Sequence, residues 1–382
     1  MSAERERGGD VDVAVVGGGV IGLATAWRAS QRGLRVLVAD PSPRQAASNV
    51  AAGMLAPVAE AQFGEPELLA LNLEAARRWP GFAAELEAAS GMSLGYAQCG
   101  SLFVARNADD LAAIDREHRF RERLGLDVQR LSGAACRERF PLLAPGIRGG
   151  VLARHDAQVD PRRVVDALRA ACDAADVNEV AASPSLLIEH GAVAGVMVGG
   201  ERINARAAVI AAGAWSPAVG GLPDHAKPPV RPVKGQIVRL RDPSDAASAH
   251  VIRGLDAYIV ARDSGEVVVG ATVEERGFDV TVTAGGVYEM LRDARELVPG
   301  IEELEVVEAS AGLRPGTPDN GPCIGPTEVA GLFTATGHHR NGILLSPVTA
   351  DAIVAMICGE QPRVDMAPFG LSRFALRSEV PV

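Results

Sequence analysis

The chain has 382 residues, 47% of them hydrophobic and 23% charged, with a formal net charge of −10. That length exceeds what one core usually organises, so two domains are expected. The acidic balance excludes a general nucleic-acid binder, whose affinity rests on neutralising phosphates, and an anionic ligand has to be drawn in by local arginines.

Five scattered cysteines, Cys99, Cys136, Cys172, Cys323 and Cys358, form no CxxC pair. No disulfide framework or zinc site is expected, and a reducing cytosol fits. The chain starts with a charged head and an apolar run, as a secretory signal does. However, Glu4, Glu6, Asp10 and Asp12 stand in the head and glycines interrupt the run, so a strand–turn–helix explains these residues better. No segment is long and apolar enough to span a membrane.

Val13 to Val16 reads as a buried parallel strand. Gly17, Gly19 and Gly22 then supply G-x-G-x-x-G, Ile21 to Arg32 reads as a helix ended by Gly33, and LRVLVAD reads as a second buried strand closed by Asp40. In such a unit the glycines permit a tight turn, close approach to a pyrophosphate and tight helix–strand packing. The helix N-terminus offers unpaired N–H groups, and Asp40 can accept from a ribose diol. NAD and FAD fit this unit equally.

A second stretch of small residues, ASNVAAGMLAP (47–57), lets backbone approach a bulky ligand. From Glu67 to Gly91 the pattern is helical with a break at Pro80. His155 and Asp156 read as a surface turn before a helix capped by Asp160, and no chemistry is assigned to them. Ala207 to Ala212 reads as an apolar strand ending in Gly213. GQIVRLRD, AYIVAR and EVVVGAT are β-rich runs, with Asp263-Ser264-Gly265 turning between the last two. Alternation puts Tyr258 and Val260 on one face, opposite Ile259. A helix follows over 286–299, ending at Pro299.

Leu332 to Thr336 reads as a strand ending in Gly337. It leads into GHHRNGILLSPVTA (337–350), where a helix is expected to begin near Ser346-Pro347. Adjacent side chains diverge, so His338 and His339 are poorly placed to share a metal, and no metal is expected. Glycines after strands recur in three distant parts of the chain. That suits FAD lying along a domain better than a separable NAD module.

The motifs VAVVGGGVIGLATAW, AAGMLAP, VIAAGAWSP, YIVARDSGEVVVGAT, GLRPGTPDNGPCIG and GHHRNGILLSPVTA occur in this order. Together they resemble the D-amino-acid oxidase superfamily of FAD enzymes, most of all its glycine-oxidase branch of the thiamine-pathway type, from about Val11 to about Phe374. The resemblance implies an α/β fold with a discontinuous Rossmann-like FAD-binding domain over 1–60, 145–220 and 305–382. The substrate-binding domain, 61–144 and 221–304, is implied to be α+β, built on a mixed or antiparallel sheet.

The implied chemistry is hydride transfer from the Cα of a small α-amino acid (glycine, sarcosine or a small D-amino acid) to FAD. The imine then hydrolyses to an α-keto acid and ammonia, and O2 is reduced to hydrogen peroxide. The flavin does the redox step, so no acid–base residue is assigned. Arg314 is the implied bidentate carboxylate clamp, with Tyr258 and Arg340 as further carboxylate partners and Met54 and His339 beside the substrate. Relatives often carry an aromatic or apolar residue where His339 stands, so substrate size and polarity stay open.

Implied cofactor contacts are Gly17, Gly19, Val20, Ile21, Gly22, Asp40, Ala51, Ala52, Gly53, Met54 and Ser185. Further along the chain they are Ala212, Gly213, Trp215, Gly312, His338, Arg340, Asn341, Gly342, Ile343 and Leu344. FAD is expected to be non-covalent, Cys323 standing where the pattern has an ordinary apolar residue. A cytoplasmic homo-oligomer is expected, with a tetramer as one form. Two alternatives stand beside this: a dehydrogenase of the same fold that passes electrons to a carrier, and a non-catalytic dinucleotide-binding subunit.

Overall fold

Residues 10–42, 46–243 and 249–377 are described in this computed structural model. The chain opens with β1 (Val11–Val16), α1 (Val20–Gln31), β2 (Val36–Ala39), α2 (Ala47–Val50), β3 (Met54–Leu55) and α3 (Pro66–Ser90). Then come β4 (Ser101–Ala105), α4 (Ala108–Arg123), β5 (Val128–Ser132), α5 (Gly133–Arg139), β6 (Gly149–Ala153), β7 (Ala157–Gln158) and α6 (Pro161–Ala174). The middle is mostly strand: β8 (Asn178–Val180), β9 (Pro184–Glu189), β10 (Ala192–Val198), β11 (Glu201–Ile210) and β12 (Arg231–Arg241), then β13 (His250–Arg253), β14 (Tyr258–Ala261) and β15 (Glu266–Gly270). The last part holds α7 (Ala284–Leu297), β16 (Glu305–Gly316), β17 (Cys323–Pro326), β18 (Leu332–Thr336) and α8 (Gly342–Ile357).

Two large sheets carry the fold. The first runs β17-β18-β11-β1-β2-β8, with the β9–β10 hairpin attached to β11. β1 pairs in parallel with β11 and β2, as buried apolar runs do when helices cover them. The second runs β16-β12-β15-β14-β13-β4-β6-β5 and is antiparallel except where β13 meets β4. The architecture is therefore α/β with a Rossmann-like part, beside a largely antiparallel sheet.

Helices α1, α3, α6 and α8 pack into one apolar core on the first sheet. Trp79 sits there edge-on to Phe82, its indole N–H donating to the Leu344 carbonyl at 2.8 Å. Helix α7 covers the outer face of the second sheet, over Ile252, Ile259 and Val269. The inner face turns Val260 and Tyr258 toward Ala52 and Met54, so alternation along β14 is as expected. The predicted turn also forms, Gly265 N–H donating to the Arg262 carbonyl at 3.0 Å.

Several expectations are corrected. Helix α3 runs unbroken through Pro80. Pro80 lies on the exposed side, while Leu71, Ala75, Trp79, Phe82 and Leu86 are buried on the other. That burial offsets the roughly 3 kcal/mol an internal proline costs. Helix α8 begins at Gly342, four residues before Ser346, and Pro347 lies inside it. Pro347 cannot bond the Ile343 carbonyl, and the Ser346 hydroxyl takes that acceptor instead, at 2.9 Å. Asp156 is fully buried rather than a surface acid, its carboxylate accepting from the N–H groups of Val58 and Ala59 at 3.2 and 3.1 Å. Burial pushes its pKa up to about 7 against those two bonds. Asp160 does cap α6, accepting from the N–H of Arg162 at 3.0 Å. Strands β6 and β16, inside the segments given to the cofactor part, belong to the second sheet, whereas α3, given to the substrate part, packs on the first.

Candidate functional site

Where β1 ends, the chain turns at Gly17 with φ of +111°, a conformation side chains rarely adopt. A Cβ there would stand 2.5 Å from the Ala211 carbonyl oxygen, where β11 ends alongside. Gly22 does the packing job of the motif: a Cβ on it would meet the Gly17 carbonyl at 1.9 Å. Helix α1 then starts at Val20 with no side-chain cap at Gly19. The Val20 N–H donates to the Ser48 hydroxyl at 3.3 Å, and the other N–H groups of the first turn are left at a positive dipole end. Asp40 is held in place by the N–H groups of Gly18 at 2.7 Å and Ser42 at 2.8 Å. Its remaining lone pairs stay free for a diol.

These groups border a cavity of about 850 Å³ between the two sheets. Gly17, Gly19, Val20, Ile21, Asp40, Ala51, Ala52, Gly53, Met54 and Ser185 line it, as do Ala212, Gly213, Trp215 and Gly312. The loop and helix start supply His338, His339, Arg340, Gly342 and Ile343, and the second sheet supplies Tyr258 and Arg314. Gly22, Asn341 and Leu344 are not on its wall. Asn341 instead sits at the α8 N-cap position, again without a side-chain cap, and the Leu344 carbonyl is turned to Trp79.

The far end is cationic. Arg314 reaches from β16 across Gly235 of β12, where a Cβ would lie 2.3 Å from its Nη1. Its guanidinium donates to the carbonyls of Thr272 at 3.1 Å and Lys234 at 3.4 Å. No carboxylate pairs with it among the described residues. Burial lowers its pKa, Tyr258 opposes the drop, and Arg340 adds to it. The Tyr258 phenol lies over Gly270, where a Cβ would come within 2.3 Å of the hydroxyl, and burial raises its pKa. Neither Gly235 nor Gly270 was singled out in the sequence. Each is visible only once the strands pair.

The two histidines part ways. His338 is buried, its Nε2 3.0 Å from the Thr349 hydroxyl, and burial takes its pKa down to about 3. His339 adopts a left-handed backbone with φ of +47°, and its N–H donates to the Pro315 carbonyl at 3.0 Å. Its pKa falls to about 4, first through burial and then through Arg340 and Arg314, so the ring is neutral at pH 7. Arg340 is exposed at the mouth without an ion-pair partner among the described residues. Opposite, Arg253 and Glu60 form a wall pair at 3.4 Å that sequence reading also missed. Cys323 is buried away from the cavity, its thiol pushed up to about 11 by burial. Among the described residues no helix is long and apolar enough to cross a membrane.

The sequence profile of the family described as FAD dependent oxidoreductase matches residues 12–356. The chain belongs to this family of FAD-dependent oxidoreductases. The glycine-tight turn, the uncapped helix start and Asp40 fit the dinucleotide half of FAD, so the site and the family agree. Glycine oxidase of Geobacillus kaustophilus is 34% identical over 366 residues, 95% of this chain and 97% of that protein. Its relative's crystal structure, glycine oxidase from Geobacillus kaustophilus, matches this FAD-dependent oxidoreductase with a TM-score of 0.87 and 33% identity, covering 96% and 99% of the two chains. The bifunctional protein ThiO/ThiG of Trichormus variabilis is 33% identical over 369 residues, 95% of this chain but 55% of that protein. The chain thus spans about half the length of that relative.

Proposed function

We propose that this chain oxidises a small α-amino or imino acid, such as glycine, sarcosine or a small D-amino acid. The imine takes up water to give an α-keto acid and ammonia, or methylamine in the case of sarcosine, and O2 takes the electrons to give hydrogen peroxide. The observation that carries this reading is Arg314, a half-buried guanidinium in the cavity wall that donates to two carbonyls beside the Tyr258 phenol and has no carboxylate in ion-pair distance among the described residues. A buried charge without a counterion is costly, and a substrate carboxylate supplies one.

FAD, when bound, supplies the two-electron acceptor. Gly17, Gly19 and the first turn of α1 would hold its diphosphate, with Asp40 at the ribose. Backbone of 51–54 and 337–343 would frame the flavin, bound without a covalent link. Arg314 would take the carboxylate through two parallel hydrogen bonds, Tyr258 would donate to one of its oxygens, and Arg340 would add a second cation from the mouth. Neutral His339 and Met54 would close the walls. No side chain is given an acid–base role. The glycine-oxidase relatives support the small substrate, and the thiamine-pathway expectation stays attached to this reading.

The test is hydrogen peroxide yield with glycine, sarcosine, proline and D-alanine, alongside anaerobic flavin bleaching. Bleaching and dye reduction without peroxide would replace the oxidase by a dehydrogenase. A protein that stays colourless after gentle purification and reconstitution would sink both. Flavin that remains with an acid-precipitated pellet would overturn non-covalent binding.

A further inference from the structure

Arg314 is held from behind by two backbone carbonyls, and both belong to residues gathered by one acid. The Glu274 carboxylate accepts from the Thr272 hydroxyl at 2.7 Å and from the Gln236 side-chain amide at 2.7 Å. It also pairs with the fully buried Lys234 ammonium at 3.5 Å. Its backbone closes a bridge to Lys234: the Lys234 N–H donates to the Glu274 carbonyl at 2.9 Å, and the Glu274 N–H to the Lys234 carbonyl at 3.0 Å. Thr272 and Lys234 are the residues whose carbonyls receive the Arg314 guanidinium. The Thr272 hydroxyl also accepts from the Gln236 N–H at 2.9 Å, which ties the segment after β15 to β12. Glu274 does not line the cavity.

We propose that Glu274 is a positioning residue for substrate binding: by gathering Thr272, Gln236 and Lys234 it fixes the two carbonyls that aim Arg314 into the cavity. This rests on the reading of Arg314 as the carboxylate clamp. Without the Glu274 carboxylate, the Thr272 hydroxyl and the Gln236 amide lose their shared acceptor, and the Thr272 segment is held to β12 only by its bonds to the Gln236 backbone and by the Lys234–Glu274 backbone bridge, which leaves the Thr272 carbonyl room to shift. The guanidinium then loses its fixed angle, although its charge and burial remain. A shift of about an ångström in such a group weakens productive binding by as much as about 100-fold.

The experiment uses the FAD-loaded enzyme and acetate as a minimal carboxylate probe, its Kd read from perturbation of the flavin spectrum. Substrate KM and kcat are measured in parallel. Glu274→Ala is expected to raise the acetate Kd and KM together by about tenfold, with kcat and bound flavin near wild type. Glu274→Gln, which keeps an acceptor for Thr272, is expected to recover most of that loss. Thr272→Val, which removes only the hydroxyl, reproduces part of it and stands in if Glu274→Ala does not fold. Arg314→Ala is run beside them. If acetate binding survives Arg314→Ala, the clamp reading itself falls. If Arg314→Ala loses acetate but Glu274→Ala and Thr272→Val bind it like wild type, the positioning role alone is overturned. A fall in kcat with unchanged acetate affinity overturns it too.

Discussion

At the Gly17 end of the cavity the protein offers backbone, whereas at the Arg314 end it offers side chains. The first end is built from a turn, a helix start and one held carboxylate, all within a contiguous stretch of chain. The second is assembled from β14, β16 and the 337–343 loop, with Arg314 and Tyr258 reaching over glycines of neighbouring strands. The difference teaches where each end is vulnerable. At Gly17 and Gly22 the backbone end has no room for a Cβ, and it has little to titrate. At the side-chain end an added Cβ on Gly235 or Gly270 would displace the tip of Arg314 or Tyr258, and the end depends on charge.

The largest expected effect tests the backbone end. Gly17→Ala should weaken FAD binding by about 100-fold or more, because overpacking and backbone strain cost about 1–3 kcal/mol each. Flavin absorbance after gel filtration reads it. A yellow variant with wild-type affinity would break the comparison there.

Next comes the side-chain end. Arg314→Ala should raise substrate KM about 10–100-fold while flavin stays bound, since each charge-assisted hydrogen bond is worth about 1.5–3 kcal/mol. Wild-type kinetics would remove Arg314 from the site.

Asp156 belongs to neither end and sharpens the contrast as a pure stability probe. Its pKa is raised in the folded state from 3.8 to about 7. Folding therefore holds its proton more tightly, and this contribution, full below about pH 4, is lost as pH rises through 7. The stability difference between wild type and Asp156→Asn, measured by urea unfolding, should move against wild type across that window. A pH-independent difference would mean that the carboxyl is ionised when folded.

The smallest effect is at His339. With its pKa near 4, kcat/KM should show no histidine limb between about pH 5.5 and 7.5, and His339→Gln should change KM by under about threefold. A limb near pH 6.5 that vanishes in the variant would show that His339 titrates in the working enzyme.

The Gly17 end was legible because turn, helix and strand are neighbours in sequence and their glycines have local duties. Tyr258 was legible because strand alternation is local too. Gly235 and Gly270 were not, since their work is to clear space for residues on paired strands. Asp156 looked like a surface acid because its partners, Val58 and Ala59, lie far back along the chain. The start of α8 was misplaced because Ser346 repairs the bond that Pro347 removes, a substitution the proline rule does not anticipate. Domain limits drawn at 145 and 305 fall before β6 and β16, whose membership in the second sheet depends on pairing rather than pattern.

Helices α1 and α8 begin on the same cavity from opposite ends of the sequence, and neither N-cap residue caps its own helix, Ser48 alone reaching the Val20 N–H of α1. A bound cofactor is then a folding partner as well as a reagent. Loading should slow amide exchange in both first turns at once, so that early and late chain segments become protected as one unit. Thermal midpoints should climb with free FAD well past saturation of the site, because ligand linkage keeps adding stability with the logarithm of its concentration.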